Sequence, residues 1–347
     1  MKKLLPVYLM ALTVFLAACG KSDSNKPTDK DDDDNKPDVE VPKTPFKTLN
    51  YLYSISGKNT VAGMHNREPA SSPKRWTDEL KATTGKFPGL WSNDFFFRGV
   101  DINNRPAVIT EAISQWEQGA IVNLMWHACN PAFAQPCEWN DGSGVLSKLS
   151  DTEWTELITD GTALNNKWKE RMDEVSVHLQ TLEDNGVEVL WRPFHEMNQG
   201  AFWWGGRPGA NGTRKLYQLT HDYMTDVKGL TNLIWVWDMQ DFSTLSADLT
   251  AYYPGDDYFD IAALDCYDGS GYTSAKYTAM VNIAKGKPIG IGECDKFPTT
   301  AQLAAQPKWS FFMGWSELVY DKNTVGEINA LFNSSRVLTL NELPGWE

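Results

Sequence analysis

From about residue 46 onward, short and nearly unbroken apolar runs alternate with amphipathic stretches. "TVAGMH" (60–65), "FPGLWSND" (87–94), "AIVNLMWH" (120–127) and "VEVLWRPFHE" (187–196) read as strands. So do "NLIWVWD" (232–238), "FDIAALDCY" (259–267), "KPIGIGE" (287–293) and "WSFFMGW" (309–315). Continuous apolarity, as opposed to alternation, marks strands covered on both faces, as in parallel sheets. Between them, Trp168, Met172, Val175, Leu179 and Leu182 fall at helical spacing within 165–186, a stretch closed by Gly186. Helices over 213–230 and 109–119 end similarly at Gly229 and Gly119. Eight strands alternating with helices predict an α/β fold, a (β/α)8 TIM barrel filling one domain over 46–347. An open doubly wound sheet is the runner-up, but no GxGxxG phosphate loop follows the first strand.

The first 45 residues break this pattern. Lys2 and Lys3 precede an apolar run from Leu4 to Ala18, the layout of a secretory signal peptide (1–18). At about 15 residues the run is short for a bilayer span. It ends at "LAAC" (16–19), which resembles the lipobox of bacterial lipoproteins; the resemblance implies cleavage before Cys19 and lipidation of its thiol. Residues 19–45 then carry four consecutive aspartates and no apolar periodicity, so a flexible acidic tether is expected. Asp31 to Asp34 lack the ordering glycine and spaced ligands of a calcium loop.

Composition narrows the partners. A net charge of −13 argues against nucleic acid and against an anionic membrane surface, both of which need a basic face. The 15 tryptophans suit flat contact with neutral rings. An exported chain matures where disulfides persist. Cys129 and Cys137 flank the Pro-rich "NPAFAQP", and a local disulfide is expected there. Cys266 and Cys294 are expected to be buried thiols facing away from the site. No CxxC or Cys/His pairing suggests zinc, and no metal or other cofactor is expected.

Polar residues gather at the carboxyl ends of the predicted strands: His127, Arg192 to Glu196, Asp265 and Tyr267, Glu293, and Trp315. In a parallel barrel these ends open on one face, where active sites sit. Glu196 and Glu293, ending strands four and seven, can divide the work of glycosidic cleavage. One stays protonated and serves the leaving oxygen, while the other stays charged and attacks the sugar carbon. "HEMNQ" (195–199) misses the second histidine of a helical HExxH zinc motif, since position 199 is Gln.

The segment "WRPFHEMNQGAFWWGG" resembles the acid/base segment of glycoside hydrolase family 26, whose members are mostly endo-β-mannanases. The resemblance implies a (β/α)8 barrel and a retaining double displacement, with Glu196 as acid/base, preceded by His195. Glu293 in "IGIGECDKF" matches the nucleophile. "MWHACNP" resembles the segment whose histidine contacts the sugar, here His127. "DCYDG" resembles the segment whose tyrosine positions the nucleophile, here Tyr267. Trp203 or Trp204, and Trp315, match aromatic platforms, and Arg192 joins His127 as a partner for sugar hydroxyls. The implied function is a monomeric endo-β-1,4-mannanase acting on mannan, glucomannan or galactomannan. It would be lipid-anchored to the outer membrane, facing the cell surface or, alternatively, the periplasm. The alternatives are the same chemistry on β-1,3/1,4-glucan or xylan, and a non-hydrolytic glycan-binding lipoprotein.

Overall fold

The computed structural model describes residues 42–267, 269 and 271–346. The leader, Cys19 and the tether up to residue 41 lie outside the described residues.

Eight parallel strands close a barrel. They are β1 (Thr60–His65), β2 (Leu90–Asp94), β3 (Ile121–Met125), β4 (Val189–Arg192), β5 (Leu233–Gln240), β6 (Ile261–Cys266), β7 (Ile289–Cys294) and β8 (Trp309–Trp315). Each pairs with the next in sequence, and β1 completes the ring by pairing with both β2 and β8. The predicted (β/α)8 barrel is therefore the observed fold. A short β9 (Val337–Leu338) adds to the start of β1 at Thr60 and Val61.

Burial explains the apolar runs. β1 to β7 are buried at every position, between the barrel core on one side and helices on the other. The helix Ala163–Asp184 buries the predicted stripe of Trp168, Met172, Val175, Leu179 and Leu182. Its N-cap Thr162 accepts from the Asn165 amide, and Gly186 (φ 70°) sits just past the end. The predicted 213–230 helix is regular only over Thr213–Asp222; Tyr223–Val227 form a π turn before Gly229. The helix predicted at 109–119 begins earlier, at Arg105, where Pro106 suits the first turn. An amino-terminal helix, Lys47–Ile55, has no counterpart in the predicted elements. The Lys47 and Thr48 amides donate to the Glu188 carboxylate just before β4, at 2.7 and 2.8 Å.

One boundary bears on function. The run 187–196 predicts one strand, but β4 stops at Arg192, because Pro193 has no amide to continue a ladder. Glu196 consequently sits on a turn four residues beyond the strand, with φ 50°. Phe96 (φ 53°) and Ser316 (φ 48°) share this left-handed backbone just after β2 and β8. Such strain in residues with side chains concentrates where the surrounding structure fixes a functional geometry.

Candidate active site

The carboxyl ends of the strands converge on a cluster of acids around one guanidinium. Arg192, at the end of β4, is only 1% exposed and donates from Nη2 to Glu293 Oε1 at 2.6 Å. Its Nη1 donates to Asp265 Oδ1 and Oδ2 at 3.2 and 3.1 Å and also contacts Asp238 Oδ2. This corrects the expectation that Arg192 meets sugar hydroxyls: the side chain is buried, and both of its Nη atoms are turned to carboxylates. Gly292 makes room for the cluster, since a Cβ there would come within 2.6 Å of Asp265 Oδ1 and 3.1 Å of Asp238 Oδ1.

Glu293 lies on β7 beside Asp265 of β6, its register partner. The Tyr267 hydroxyl donates to Glu293 Oε2 at 2.5 Å. Burial leaves the Glu293 pKa above its ordinary value; Arg192 and the Tyr267 hydrogen bond oppose that rise, and the Asp238 charge adds to it. Among the described residues Glu196 has no such cation in contact, and Gln199 Nε2 donates to its Oε2. Burial, followed by the charges of Glu293 and Asp238, pushes the Glu196 carboxyl well above its ordinary pKa. The two glutamates are therefore electrostatically unlike: one is suited to hold a proton, the other is held by a guanidinium and a phenol. Carboxylate oxygens of Glu196, Asp265 and Glu293 lie within 4.8 Å of one another.

The Glu196 turn is pinned to β5. The Met197 amide donates to the Asp238 carbonyl at 3.3 Å, and Asn198 exchanges hydrogen bonds with the Gln240 backbone at 2.8 and 3.0 Å. His195 is buried, with its ring edge-on to His127 at 4.4 Å and to Phe202 at 4.7 Å. Burial, followed by the charges of His127 and Arg192, pushes its pKa well below the usual histidine value, so the imidazole is neutral.

His127 follows β3, with Nδ1 bonded to Asp94 Oδ2 and its amide donating to Asp94 Oδ1 at 3.1 Å. Burial alone would raise the Asp94 pKa, but the facing His127 holds it below the ordinary value. The pairing fixes the ring and leaves Nε2 for a ligand. A cavity of about 270 Å3 opens here, lined by His65, Asp94, Phe97, His127, Trp139 and Trp315 among others. Its rim is a row of ion pairs: Glu317 to Arg67 (2.5 Å), Arg67 to Glu68 (2.8 Å), and Arg98 to Glu138 (3.0 Å).

The paired tryptophans do not form an open floor. Trp203 and Trp204 are 1% and 0% exposed, and their Nε1 atoms donate to the carbonyls of Ala128 and His195. Phe202 stacks flat on Trp204 at 4.5 Å and shields it. The pair instead braces the loop that carries His195, and the platform expectation is corrected for both. Trp315 remains partly exposed and lines the cavity. Trp139, 38% exposed, joins it from two residues beyond Cys137, whose disulfide to Cys129 brings their Cα atoms 5.9 Å apart. Cys266 and Cys294 are buried free thiols.

Sequence reasoning missed Asp94, Trp139, Gln199 and Asp238. The signal for two of them was present: "LWSND" and "NLIWVWD" are strand segments that close on Asp, as "IAALD" closes on Asp265.

Comparison with known proteins turns this geometry into a family assignment. The profile of glycosyl hydrolase family 26 matches residues 38–342. The chain belongs to that family. It is 32% identical over 319 residues to a mannan endo-1,4-beta-mannosidase of Thermothelomyces thermophilus, covering 86% of this chain and 61% of that protein. Its relative in Caldalkalibacillus mannanilyticus, mannan endo-1,4-beta-mannosidase A and B, is 28% identical over 87% of this chain and again 61% of that protein. The chain thus spans about three fifths of the length of these two relatives. Among solved family 26 structures, GH26A from Muricauda sp. superposes with a TM-score of 0.80 at 37% identity, covering 85% of this chain and 95% of that one. A beta-mannanase from a symbiotic protist of the termite Reticulitermes speratus was solved with a gluco-manno-oligosaccharide. It superposes at 0.74 with 28% identity, covering 86% of this chain and 93% of that one.

Proposed function

We propose that this family 26 chain is a retaining endo-β-1,4-mannanase, with Glu293 as nucleophile and Glu196 as acid/base. The observation that carries the reading is the contrast between two carboxyl groups whose oxygens approach within 4.8 Å. Retention needs carboxyl groups about 5–5.5 Å apart, and inversion needs a water-sized gap of roughly 6.5–9.5 Å. The mannanase names of the relatives support the glycan class.

The sequence of events follows from the contacts. The sugar at the cleavage point packs its C–H face on Trp315 and offers hydroxyls to His127. Glu293, held ionised by Arg192 and Tyr267, attacks the anomeric carbon while Glu196 passes its proton to the leaving oxygen. Once Glu293 is esterified, its charge is gone, and the largest charge-based upward push on Glu196 goes with it, second only to burial. Glu196 then ionises and takes a proton from the incoming water, which releases the sugar and restores both groups.

Cys19 and the acidic tether support a lipid anchor in the outer membrane with the catalytic domain at the cell surface, and the chain is taken as a monomer. Incorporation of labelled fatty acid that persists in Cys19→Ala would remove the anchor. The activity is tested by reducing-end release from glucomannan, galactomannan, lichenan and xylan. Cleavage of the mannans is expected; cleavage of lichenan or xylan alone would reassign the substrate, and binding without release would remove the hydrolase reading.

A further inference from the structure

His65 ends β1 directly opposite Trp315 at the end of β8, and the two are register partners. Their rings stack with centroids 4.1 Å apart and planes within 10°. One face of the indole is thus covered by the imidazole, and the other is left for a ligand. His65 Nδ1 lies 2.9 Å from Ser92 Oγ on β2, which itself accepts from Asn123 Nδ2 on β3 at 2.8 Å. Ser92 Oγ can accept from Asn123 and still share a hydrogen bond with His65 Nδ1, whose direction follows the ring's tautomer; in either direction the bond ties the imidazole to β2. Burial, the largest influence on this ring, pushes its pKa well below the ordinary value and keeps it neutral.

Packing alone is a poor account of this histidine. Among the described residues its Nε2 is buried without a partner, which a phenylalanine of similar shape would avoid. What a phenylalanine lacks is the nitrogen that bonds Ser92. That bond fixes the rotation of the imidazole, and the near-parallel stack passes the constraint to the indole.

We propose that His65 is a positioning residue: the chain Asn123–Ser92–His65 sets the plane of Trp315, and so the seat of the sugar ring that Glu293 attacks. The proposal rests on reading Trp315 as the sugar platform. Small misplacements of a bound sugar relative to its nucleophile are costly to the rate, which gives such a support a catalytic consequence.

The test is a double-mutant cycle on kcat/KM for mannopentaose, using Trp315→Ala, His65→Asn and the pair together. Asparagine keeps a polar atom for Ser92 but removes the ring. Each single change should lower kcat/KM by about 10-fold, and the double variant should fall within roughly 2-fold of Trp315→Ala, as for residues acting as a unit. His65→Phe, which restores a ring without the bond to Ser92, should recover part of the His65→Asn loss. If melting curves show that His65→Asn does not fold, Ser92→Ala takes its place in the cycle with the same expectation. Additive losses, or a kcat/KM unchanged by His65→Asn, would overturn the proposal while leaving the platform intact. An unchanged Trp315→Ala enzyme would instead remove the platform, and the proposal with it.

Discussion

Arg192 Nη2 donates to Glu293 Oε1 across 2.6 Å, while Nη1 of the same guanidinium serves Asp238 and Asp265. A planar fork can meet several carboxylates at once, whereas an ammonium is a point charge with no such geometry. Arg192→Lys should therefore keep the charge and lose the aim of Glu293. We expect kcat to fall on the order of 100-fold, the scale of a 1 Å misplacement. Steady-state kinetics on a mannan oligosaccharide would check this, and a wild-type kcat would show that the fork is dispensable.

The unlike surroundings of the two glutamates assign them opposite defects. Glu196→Ala should cripple cleavage of natural glycans, whose leaving groups need a proton. It should spare the first step on activated aryl glycosides, and azide should then speed release of the glycosyl-enzyme. Glu293→Ala should abolish turnover of both substrates, because no covalent intermediate can form. Aryl-glycoside activity that survives in the Glu293 variant but not in the Glu196 variant would exchange the roles.

Tyr267 makes a hydrogen bond that favours ionised Glu293. Removing it in Tyr267→Phe should raise the Glu293 pKa, so the nucleophile would ionise only at higher pH. The acid limb of the kcat/KM profile reports this group in the free enzyme and should move to higher pH. An unmoved acid limb would take Tyr267 out of the control of Glu293.

Glu196 should cost the fold stability. Its folded-state pKa lies above the unfolded value of about 4.3, so the folded protein binds this proton more tightly. Stability is therefore lost as pH rises from near 4.3 through the raised folded value. Glu196→Gln removes that loss and should stabilise the protein by about 1–2 kcal/mol at neutral pH, with little gain below pH 4. Denaturant unfolding at the two pH values would show it; an equal gain at both would assign the effect to packing.

The barrel was legible because each strand is covered on both faces and writes an apolar run into the chain. The site was legible where a strand ends abruptly in a polar residue, as at Glu293 and Asp265. Rotation and cover were not. Nothing local in "AFWW" distinguishes an exposed indole from Trp204, which lies beneath Phe202 and bonds to the His195 carbonyl. Arg192 reads as a cleft residue until Asp238 and Asp265, on other strands, close around it. Those contacts join positions 46 and 73 residues away, a range that no window of sequence covers.

The Cys129–Cys137 bridge ties down the segment that brings Glu138 to Arg98 and Trp139 to the cavity wall. No barrel strand contains either cysteine, so the cylinder can form without the bond. The redox state of the compartment where the chain matures thus becomes an author of the cleft's outline. Protein produced in a reducing cytosol would carry the same catalytic floor under an untethered Trp139. Two batches of identical sequence, one oxidised and one not, would then grip a long polymer differently while cutting a small chromogenic substrate alike.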